Sequence, residues 1–238
     1  MAIITLIIGN SGTGKTASLR NFKTADTLLI QSVKKPLPFR SKDWKVLTKE
    51  GGNIFESDSS SRICEVLQKS KRKIIIIDDF QYIMANEFMR RSHEKSYDKF
   101  NDIARQAWDI ITCAANLAPD VRVYFLSHIE SNDFGKEKAK TIGRMLDDKI
   151  TIEGLFSTVL KTAVRDGEYF FTTKNNGNDT VKSPIDLFDK DLIDNDLAKI
   201  DAQVVDYYEL NQTQTQTQTQ TQTQTQTQTQ TQTEPQGE

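Results

Sequence analysis

The stretch Gly9-Asn10-Ser11-Gly12-Thr13-Gly14-Lys15-Thr16 decides the fold, because it follows the apolar run 3–8 and precedes a segment, residues 17–22, that is compatible with a helix. A strand, a glycine-rich turn, Lys-Thr and a helix form the context in which G-x-x-x-x-G-K-[ST] is a P-loop. Its glycines let successive backbone N–H groups point at phosphate oxygens, and the helix adds its N-terminal partial positive charge. The motif therefore predicts a nucleoside triphosphate site.

Each residue of this motif has an expected role. The Lys15 ammonium should reach the β- and γ-phosphates, and the Thr16 hydroxyl should join the Mg²⁺ shell. The backbone around the phosphates should come from the whole loop and the residue that follows it, namely Gly9, Asn10, Ser11, Gly12, Thr13, Gly14, Lys15, Thr16 and Ala17. We therefore expect ATP and Mg²⁺ as the bound groups.

A second motif consists of the isoleucines 74–77 followed by Asp78 and Asp79. A carboxylate at the end of a buried strand is where a Walker B acid holds Mg²⁺, directly or through water. Asp78 ends the apolar run and is the expected Mg²⁺ partner, whereas Asp79 occupies the position of a water-activating acid. The alternative is that the two acids merely cap the next helix.

The spacing of the two motifs narrows the class of protein. A candidate strand at residues 27–31 and a candidate helix at 60–69 intervene between them in the sequence. This arrangement is typical of P-loop proteins that have an additional strand between the Walker A and Walker B strands, such as RecA-like and AAA-type ATPases. Kinases and GTPases mostly place those two strands side by side.

The rest of the chain alternates between strand and helix patterns, which predicts a single α/β domain over residues 1–210 with a central, mostly parallel sheet flanked by helices. A hairpin turn at Asp166-Gly167 predicts a C-terminal β-hairpin. Residues 211–238 are dominated by a Gln-Thr repeat without apolar side chains, so we expect this tail to be disordered. Further strands are predicted at 44–47, 122–127, 149–152, 157–164 and 168–173, and further helices at 84–117 with a break near 92–96 and in the second half of 187–210.

Composition restricts the function further. The formal net charge of the 238-residue chain is −2, which argues against a nucleic-acid footprint over the whole surface but not against a local one. No apolar run approaches the ~20 residues of a membrane span, and the first residues lack the form of a signal peptide. The two cysteines, Cys64 and Cys113, lie in apolar contexts and are expected to be reduced and buried. These features predict a cytoplasmic protein that does not contact membranes.

His128 follows the predicted strand 122–127. The carboxyl ends of parallel strands face the ligand crevice, so His128 could sense a γ-phosphate or position the attacking water. A structural histidine whose hydrogen bonds are satisfied within the protein is the alternative interpretation.

The chain resembles the compact RecA-like ATP-binding proteins of bacteriophages, a group that includes single-strand annealing proteins built from a RecA core. The resemblance lies in the order and spacing of four segments, residues 9–16, 74–79, 124–128 and 159–173. The resemblance covers about residues 1–190, and only its P-loop is highly specific. It implies a RecA-like fold and an ATPase in the cytoplasm of a bacterial host. It also implies binding of single-stranded DNA and a head-to-tail homo-oligomer, either ring or filament, with a single-strand DNA-binding protein as a further partner.

The resemblance assigns phosphate contact to Lys15, Mg²⁺ to Thr16 and Asp78, and γ-phosphate sensing to His128. One departure is that RecA-type proteins usually end the second strand with a catalytic Glu, whereas this strand ends at Gln31. Either Asp79 replaces that acid or hydrolysis is slow.

DNA contact is expected from the basic segment 131–149, because the equivalent loops of RecA-like folds line the DNA channel. Lysines spaced two apart can contact successive phosphates in an extended loop, and Phe134 is an aromatic side chain available for stacking. A solvated charged loop is the alternative, and the basic segment 34–45 is a second candidate surface. The expected DNA-binding residues are Lys136, Lys138, Lys140 and Arg144.

A neighbouring subunit often supplies a cation to such sites, where it stabilises charge on the transferring phosphoryl group. The candidates for this role are Arg144, Arg165, Lys174 and Lys182.

Three function classes remain open: a DNA-linked ATPase, an ATP-dependent switch or loader acting on protein partners, and a nucleotide or small-molecule kinase. A kinase would need an arginine-rich lid, for which Arg90, Arg91 and Arg105 are the candidates.

Overall fold

The computed structural model describes residues 1–132 and 134–210, so the tail predicted to be disordered, residues 211–238, lies outside the described residues. The α-helices are α1 (Ser60–Lys69), α2 (Gln81–Arg90), α3 (Asp98–Ala115) and α4 (Leu197–Tyr207). The strands are β1 (Ile3–Ile8), β2 (Thr27–Gln31), β3 (Ile54–Glu56), β4 (Ile74–Asp78), β5 (Arg122–Ser127), β6 (Ile129–Ser131), β7 (Glu137–Ala139), β8 (Thr158–Arg165), β9 (Glu168–Thr172) and β10 (Leu192–Asp194).

Eight of these strands form one sheet in the order β10-β9-β8-β1-β5-β4-β2-β3. The strands from β8 to β3 pair in parallel, whereas β8, β9 and β10 pair antiparallel. The turn between β8 and β9 is Asp166-Gly167, both with positive φ, as the hairpin signal predicts. The α/β class, the mostly parallel sheet flanked by helices and the C-terminal hairpin are therefore confirmed.

Helices cover both faces of the sheet, which explains why the central strands are apolar throughout. Side chains alternate along β1: Leu6 and Ile8 pack into the core beneath α1, α2 and α3, whereas Ile7 packs into the core beneath α4. Burial on both faces leaves no polar position in the run 74–77 until Asp78 ends the strand. The result is a three-layer domain whose polar groups gather at the strand ends.

A buried polar network fixes α4 to the sheet. Asp201 of α4 accepts two hydrogen bonds from the Arg122 guanidinium, at 2.9 and 2.8 Å, and one from the Tyr124 hydroxyl at 2.7 Å. Burial, and then the neighbouring Asp201 carboxylate, raises the pKa of Tyr124, so the phenol stays protonated and donates. The second face of the sheet is thereby closed by a helix held at a defined position.

The strand order bears directly on the two sequence motifs. β5 lies between β1 and β4, so one additional strand separates the strand before the glycine-rich loop from the strand that ends at Asp78. The predicted additional strand is thus present, but it is β5 rather than β2, which lies on the far side of β4. Register pairs Ile8 with Ser127 and Gln31 with Asp78, so these strand ends lie at one edge of the sheet.

Two predicted strands are wrong. Residues 149–152 are not extended: they span the end of a π-helix (Met145–Ile150) and the start of a 3-10 helix (Ile152–Leu155). β5 and β8 already occupy both sides of β1, so this segment finds no strand partner there and buries Leu146 and Ile152 through helical turns. Residues 44–47 contribute only an isolated bridge between Val46 and Ile54, and β3 forms the edge instead.

The segment after the glycine-rich loop is helical but short. It forms a 3-10 helix over Thr16–Asn21 rather than an α-helix over 17–22. Anion binding near it would therefore depend mainly on the backbone N–H groups of the loop, because a short 3-10 helix contributes few aligned peptide dipoles. In the part of the chain that the structure describes, no helix is long and apolar enough to cross a membrane.

The two cysteines are neighbours on α1 and α3. Both are free and only half-buried, and the Cys113 thiol lies 3.7 Å from the carbonyl oxygen of Cys64. Burial, and then the neighbouring Cys113, raises the pKa of Cys64 to about 12. The Cys64 thiol therefore stays protonated at neutral pH and is a poor nucleophile, and neither cysteine lines the cavity described below.

Candidate functional site

The glycine-rich loop, residues 9–16, leaves the carboxyl end of β1 and curls back over it. Gly12 and Gly14 have φ of +78° and +95°, a conformation that L side chains rarely adopt. A Cβ on Gly12 would meet no atom within 4 Å, so this side of the loop is open. The loop therefore presents backbone to a free space, as an anion-binding turn requires.

Strand β8 supports the loop from the side. The Thr162 hydroxyl lies 2.6 Å from the Thr13 hydroxyl and donates to the Ile8 carbonyl at 3.4 Å. Any Cβ on Gly9 would overlap the Thr162 Oγ1 atom, so only glycine permits this approach. The loop conformation consequently depends on a strand more than 140 residues further along the chain.

Lys15 is buried within the loop. Its ammonium donates to the carbonyl oxygens of Gly9, at 2.7 Å, and Asn10, at 2.8 Å. Burial lowers the pKa of Lys15 to about 8, although Asp79 and Asp78 oppose the shift. The lysine is therefore an ammonium at neutral pH, held by two weak acceptors and available to a stronger anionic partner.

The two motifs meet at Thr16 and Asp78. The Thr16 hydroxyl is 3.1 Å from each carboxylate oxygen of Asp78, which lies at the end of β4. Burial, and then the neighbouring Asp79 charge, raises the pKa of Asp78 to about 6. A buried carboxylate beside a hydroxyl is a set of hard oxygen donors of the kind that Mg²⁺ prefers.

Asp79 follows directly and faces the same space. Its backbone is left-handed, with φ of 58°, and its carboxylate forms an ion pair with Lys35 from the segment after β2. The His128 Nε2 atom lies 3.6 Å from the other oxygen of Asp79. Burial alone would raise the pKa of Asp79, but His128 and Lys35 outweigh it and the pKa is lowered. Asp79 is therefore ionised at neutral pH.

His128 is positioned by α2 as well as by β5. The side-chain oxygen of Gln81 accepts from the His128 backbone N–H at 3.1 Å and from the Ser127 hydroxyl at 3.4 Å. The Tyr82 ring contacts the imidazole edge-on, with centroids 6.0 Å apart. His128 thus reaches the predicted site, and its imidazole faces Asp79 while its backbone is held by α2.

Of the charged and hydrogen-bonding side chains described above, those of Lys15, Thr16, Lys35, Asp79 and His128 line a cavity of about 420 Å³, a size suited to a small ligand. The donor set and the open loop fit a magnesium-bound polyphosphate. Within residues 1–132 and 134–210, no group of three or more His, Cys, Asp or Glu side chains is placed to hold a metal ion. The lining residues are Ser11, Gly12, Gly14, Lys15, Thr16, Ala17, Lys35, Pro38, Asp79, His128 and Tyr169.

The basic segment predicted to bind DNA forms a second, small sheet, the β6–β7 hairpin. Lys138 is paired with Asp147 and lies 3.6 Å from Glu130, so its charge is largely neutralised. The Phe134 side chain at the hairpin tip is 93% exposed. The other three predicted contacts, Lys136, Lys140 and Arg144, are exposed and have no carboxylate partner among the described residues.

The cations predicted to act on the site of a neighbouring subunit lie outside the cavity of their own chain, as that role requires. Arg165 is exposed at the end of β8, beyond the glycine-rich loop. Lys174 pairs with Asp191, and Lys182 pairs through its backbone with Val159, at the level of the middle of β1. Of Arg165, Lys174 and Lys182, Arg165 thus lies nearest the edge of the sheet where the cavity lies.

The arginines considered for a kinase lid are engaged elsewhere. Arg90 pairs with Asp58 and Glu87, and Arg105 pairs with Asp109. Arg91 pairs with Glu94 and Asp102, and none of the three lines the cavity.

Sequence reasoning missed four residues of the site. The sequence places Lys35 only on an alternative DNA surface, and it assigns no role to Gln81, Thr162 or Tyr169. Sequence position could have indicated two of them, because Lys35 and Gln81 closely follow the carboxyl ends of β2 and β4, where ligand sites form.

No protein-family model matches the chain, and no curated protein matches it significantly. A functional assignment therefore rests on the geometry of this site.

Proposed function

We propose that this protein binds Mg-ATP at the cavity beside residues 9–16 and hydrolyses it. The observation that carries the proposal is the Thr16–Asp78 hydrogen bond, which joins the last residue of an open loop with positive-φ glycines to the end of β4. A hydroxyl and a carboxylate brought together beside a buried lysine match the needs of a magnesium-bound triphosphate.

The roles follow from position. Backbone N–H groups of the loop would hold phosphate oxygens, and the Lys15 ammonium would exchange its two carbonyl partners for the β- and γ-phosphates. Thr16 and Asp78 would hold Mg²⁺, which neutralises charge on the phosphates when bound. Asp79 would orient the attacking water, with His128 beside it. This assignment is consistent with β2 ending at Gln31, because Asp79 is then the acid that lines the cavity.

We further propose that the protein is a RecA-like, phage-type ATPase of the bacterial cytoplasm that binds single-stranded DNA in recombination, annealing or replication. The β6–β7 hairpin supports DNA contact, because it carries exposed Phe134, Lys136 and Lys140. It also begins at the site: the Lys140 N–H donates to the His128 carbonyl at 2.8 Å. Assembly would be head to tail, with Arg165 the favoured cation from a neighbour.

The second candidate is an ATP-dependent switch or loader that uses the same core on protein partners without DNA contact. A kinase has less support, because Arg90, Arg91 and Arg105 are paired outside the cavity.

The deciding experiment measures ATP hydrolysis with and without single-stranded DNA at several salt concentrations. We expect Mg²⁺-dependent hydrolysis that DNA stimulates at low salt, and no hydrolysis by Lys15→Ala. Hydrolysis that DNA never affects, together with no DNA binding at low salt, would favour the protein-partner switch. Absence of ATP binding by the wild type would refute the nucleotide assignment.

A further inference from the structure

Lys35 occupies a position that the proposed roles do not use. It lies on the segment after β2, lines the same cavity as the glycine-rich loop, and its ammonium pairs with Asp79. The adjacent lysine points elsewhere: Lys34 pairs with Glu56 at 2.6 Å and its side chain is 75% exposed. Of these two neighbouring lysines, only Lys35 lines the cavity.

The charged side chains around the cavity balance one another. Two cations, Lys15 and Lys35, face two carboxylates, Asp78 and Asp79. A triphosphate adds several negative charges to this balanced set, and an ammonium within reach would form charge-assisted hydrogen bonds with its phosphate oxygens. Lys35 meets this description, because its side chain is 41% exposed and Asp79 retains His128 on its other oxygen.

We infer that Lys35 changes partner when nucleotide binds, leaving Asp79 for the terminal phosphate of a nucleoside triphosphate. The inference rests on the proposed function and deepens it. Lys35 would then act as a phosphate-binding cation supplied by the same chain, and it would distinguish triphosphate from diphosphate. Its departure would also free one oxygen of Asp79 to accept a hydrogen bond from water. Without nucleotide, the ion pair keeps that oxygen occupied.

The test is the ratio of ATP to ADP affinity, measured by titration calorimetry with Mg²⁺. Lys35→Ala should weaken ATP binding roughly 10- to 100-fold, the value of a charge-assisted hydrogen bond, and should change ADP affinity by less than about 2-fold. Lys34→Ala is the matched control and should change neither affinity. Lys35→Arg should restore most of the preference for ATP, because the charge is kept.

A second variant tests the exchange without removing the lysine. Asp79→Asn releases Lys35 from its ion pair and removes a negative charge beside the phosphates, so ATP should bind more tightly relative to ADP, and this gain should be clearly smaller in the Lys35→Ala background. Equal losses of ATP and ADP affinity in Lys35→Ala, or a gain in Asp79→Asn of the same size with and without Lys35, would overturn the inference. Either result leaves the proposed function standing if the wild type binds ATP and Lys15→Ala does not. A wild type that binds no ATP removes both.

Discussion

The Thr16 hydroxyl reaches both oxygens of Asp78, at 3.1 Å each, although 62 positions separate the two residues in the sequence. The contact exists because β1 and β4 run parallel on either side of β5 and end at the same edge of the sheet. It places a hydroxyl and a carboxylate where one divalent cation could contact both.

Lys15→Ala should abolish tight Mg-ATP binding and leave the fold intact. Truncating one partner of a buried charge pair costs about 2–5 kcal/mol, so the affinity should fall by roughly 30-fold or more. Calorimetric titration measures the affinity, and circular dichroism checks the fold. A folded variant with unchanged ATP affinity would contradict the site assignment.

Asp78→Asn should stabilise the nucleotide-free, Mg²⁺-free protein at pH 7.5. The pKa of Asp78 is about 6 in the folded protein, above its ordinary value of 3.8, so its ionised form opposes folding. The gain should be on the order of 1–3 kcal/mol at pH 7.5 and should shrink as the pH falls from 6 to 4, because in this range the folded protein takes up a proton on Asp78 that the unfolded chain does not. Denaturant titrations of both proteins across this range would measure it. A gain that does not vary with pH would show that the buried charge of Asp78 is not its cause.

Asp79→Asn should retain ATP binding and slow turnover, because the variant loses the carboxylate that faces the cavity. A positioned general base typically contributes about 10²- to 10⁴-fold, so the rate should fall within that range. Single-turnover hydrolysis separates this effect from product release. Equal turnover in the variant and the wild type would remove Asp79 from the mechanism.

Gly9→Ala should destabilise the protein by about 1–3 kcal/mol and weaken ATP binding, because the new Cβ overlaps the Thr162 Oγ1 atom and forces the loop to move. The double variant Gly9→Ala/Thr162→Ala should recover part of both losses. Thermal unfolding and ATP titration of the two variants and of Thr162→Ala alone complete the cycle. No recovery in the double variant would show that the contact with β8 does not limit the loop.

Neutralising Lys136, Lys140 and Arg144 together should weaken single-stranded DNA binding equally for all sequences. The slope of log affinity against log salt should fall by about 0.7 for each lost phosphate contact, or about 2 in total. Lys138→Ala should change the slope less, because Asp147 and Glu130 already offset its charge. Fluorescence anisotropy at several salt concentrations measures both effects. An unchanged slope in the triple variant would relocate the DNA site.

The elements that the sequence predicts best are those with local signals. The wholly apolar run before Asp78 is a buried strand, and Asp166-Gly167 is a hairpin turn. Both are predictable because burial and turn conformation depend on residues that are adjacent in the sequence. The segment 149–152 alternates like a strand but is helical, because strand formation also needs a free partner and β1 has none left.

The sequence alone determined the glycine-rich loop, the acids that end β4 and the alternation of strands and helices, since each depends on the order of neighbouring residues. Only the tertiary structure decided that Lys35 pairs with Asp79, that Thr162 packs on Gly9 and that Lys138 is neutralised. These contacts depend on which strands are neighbours and in which register they pair. The periodicity of apolar residues in the sequence indicates which residues are buried and where a strand ends, but it does not indicate which other strand will pair with it.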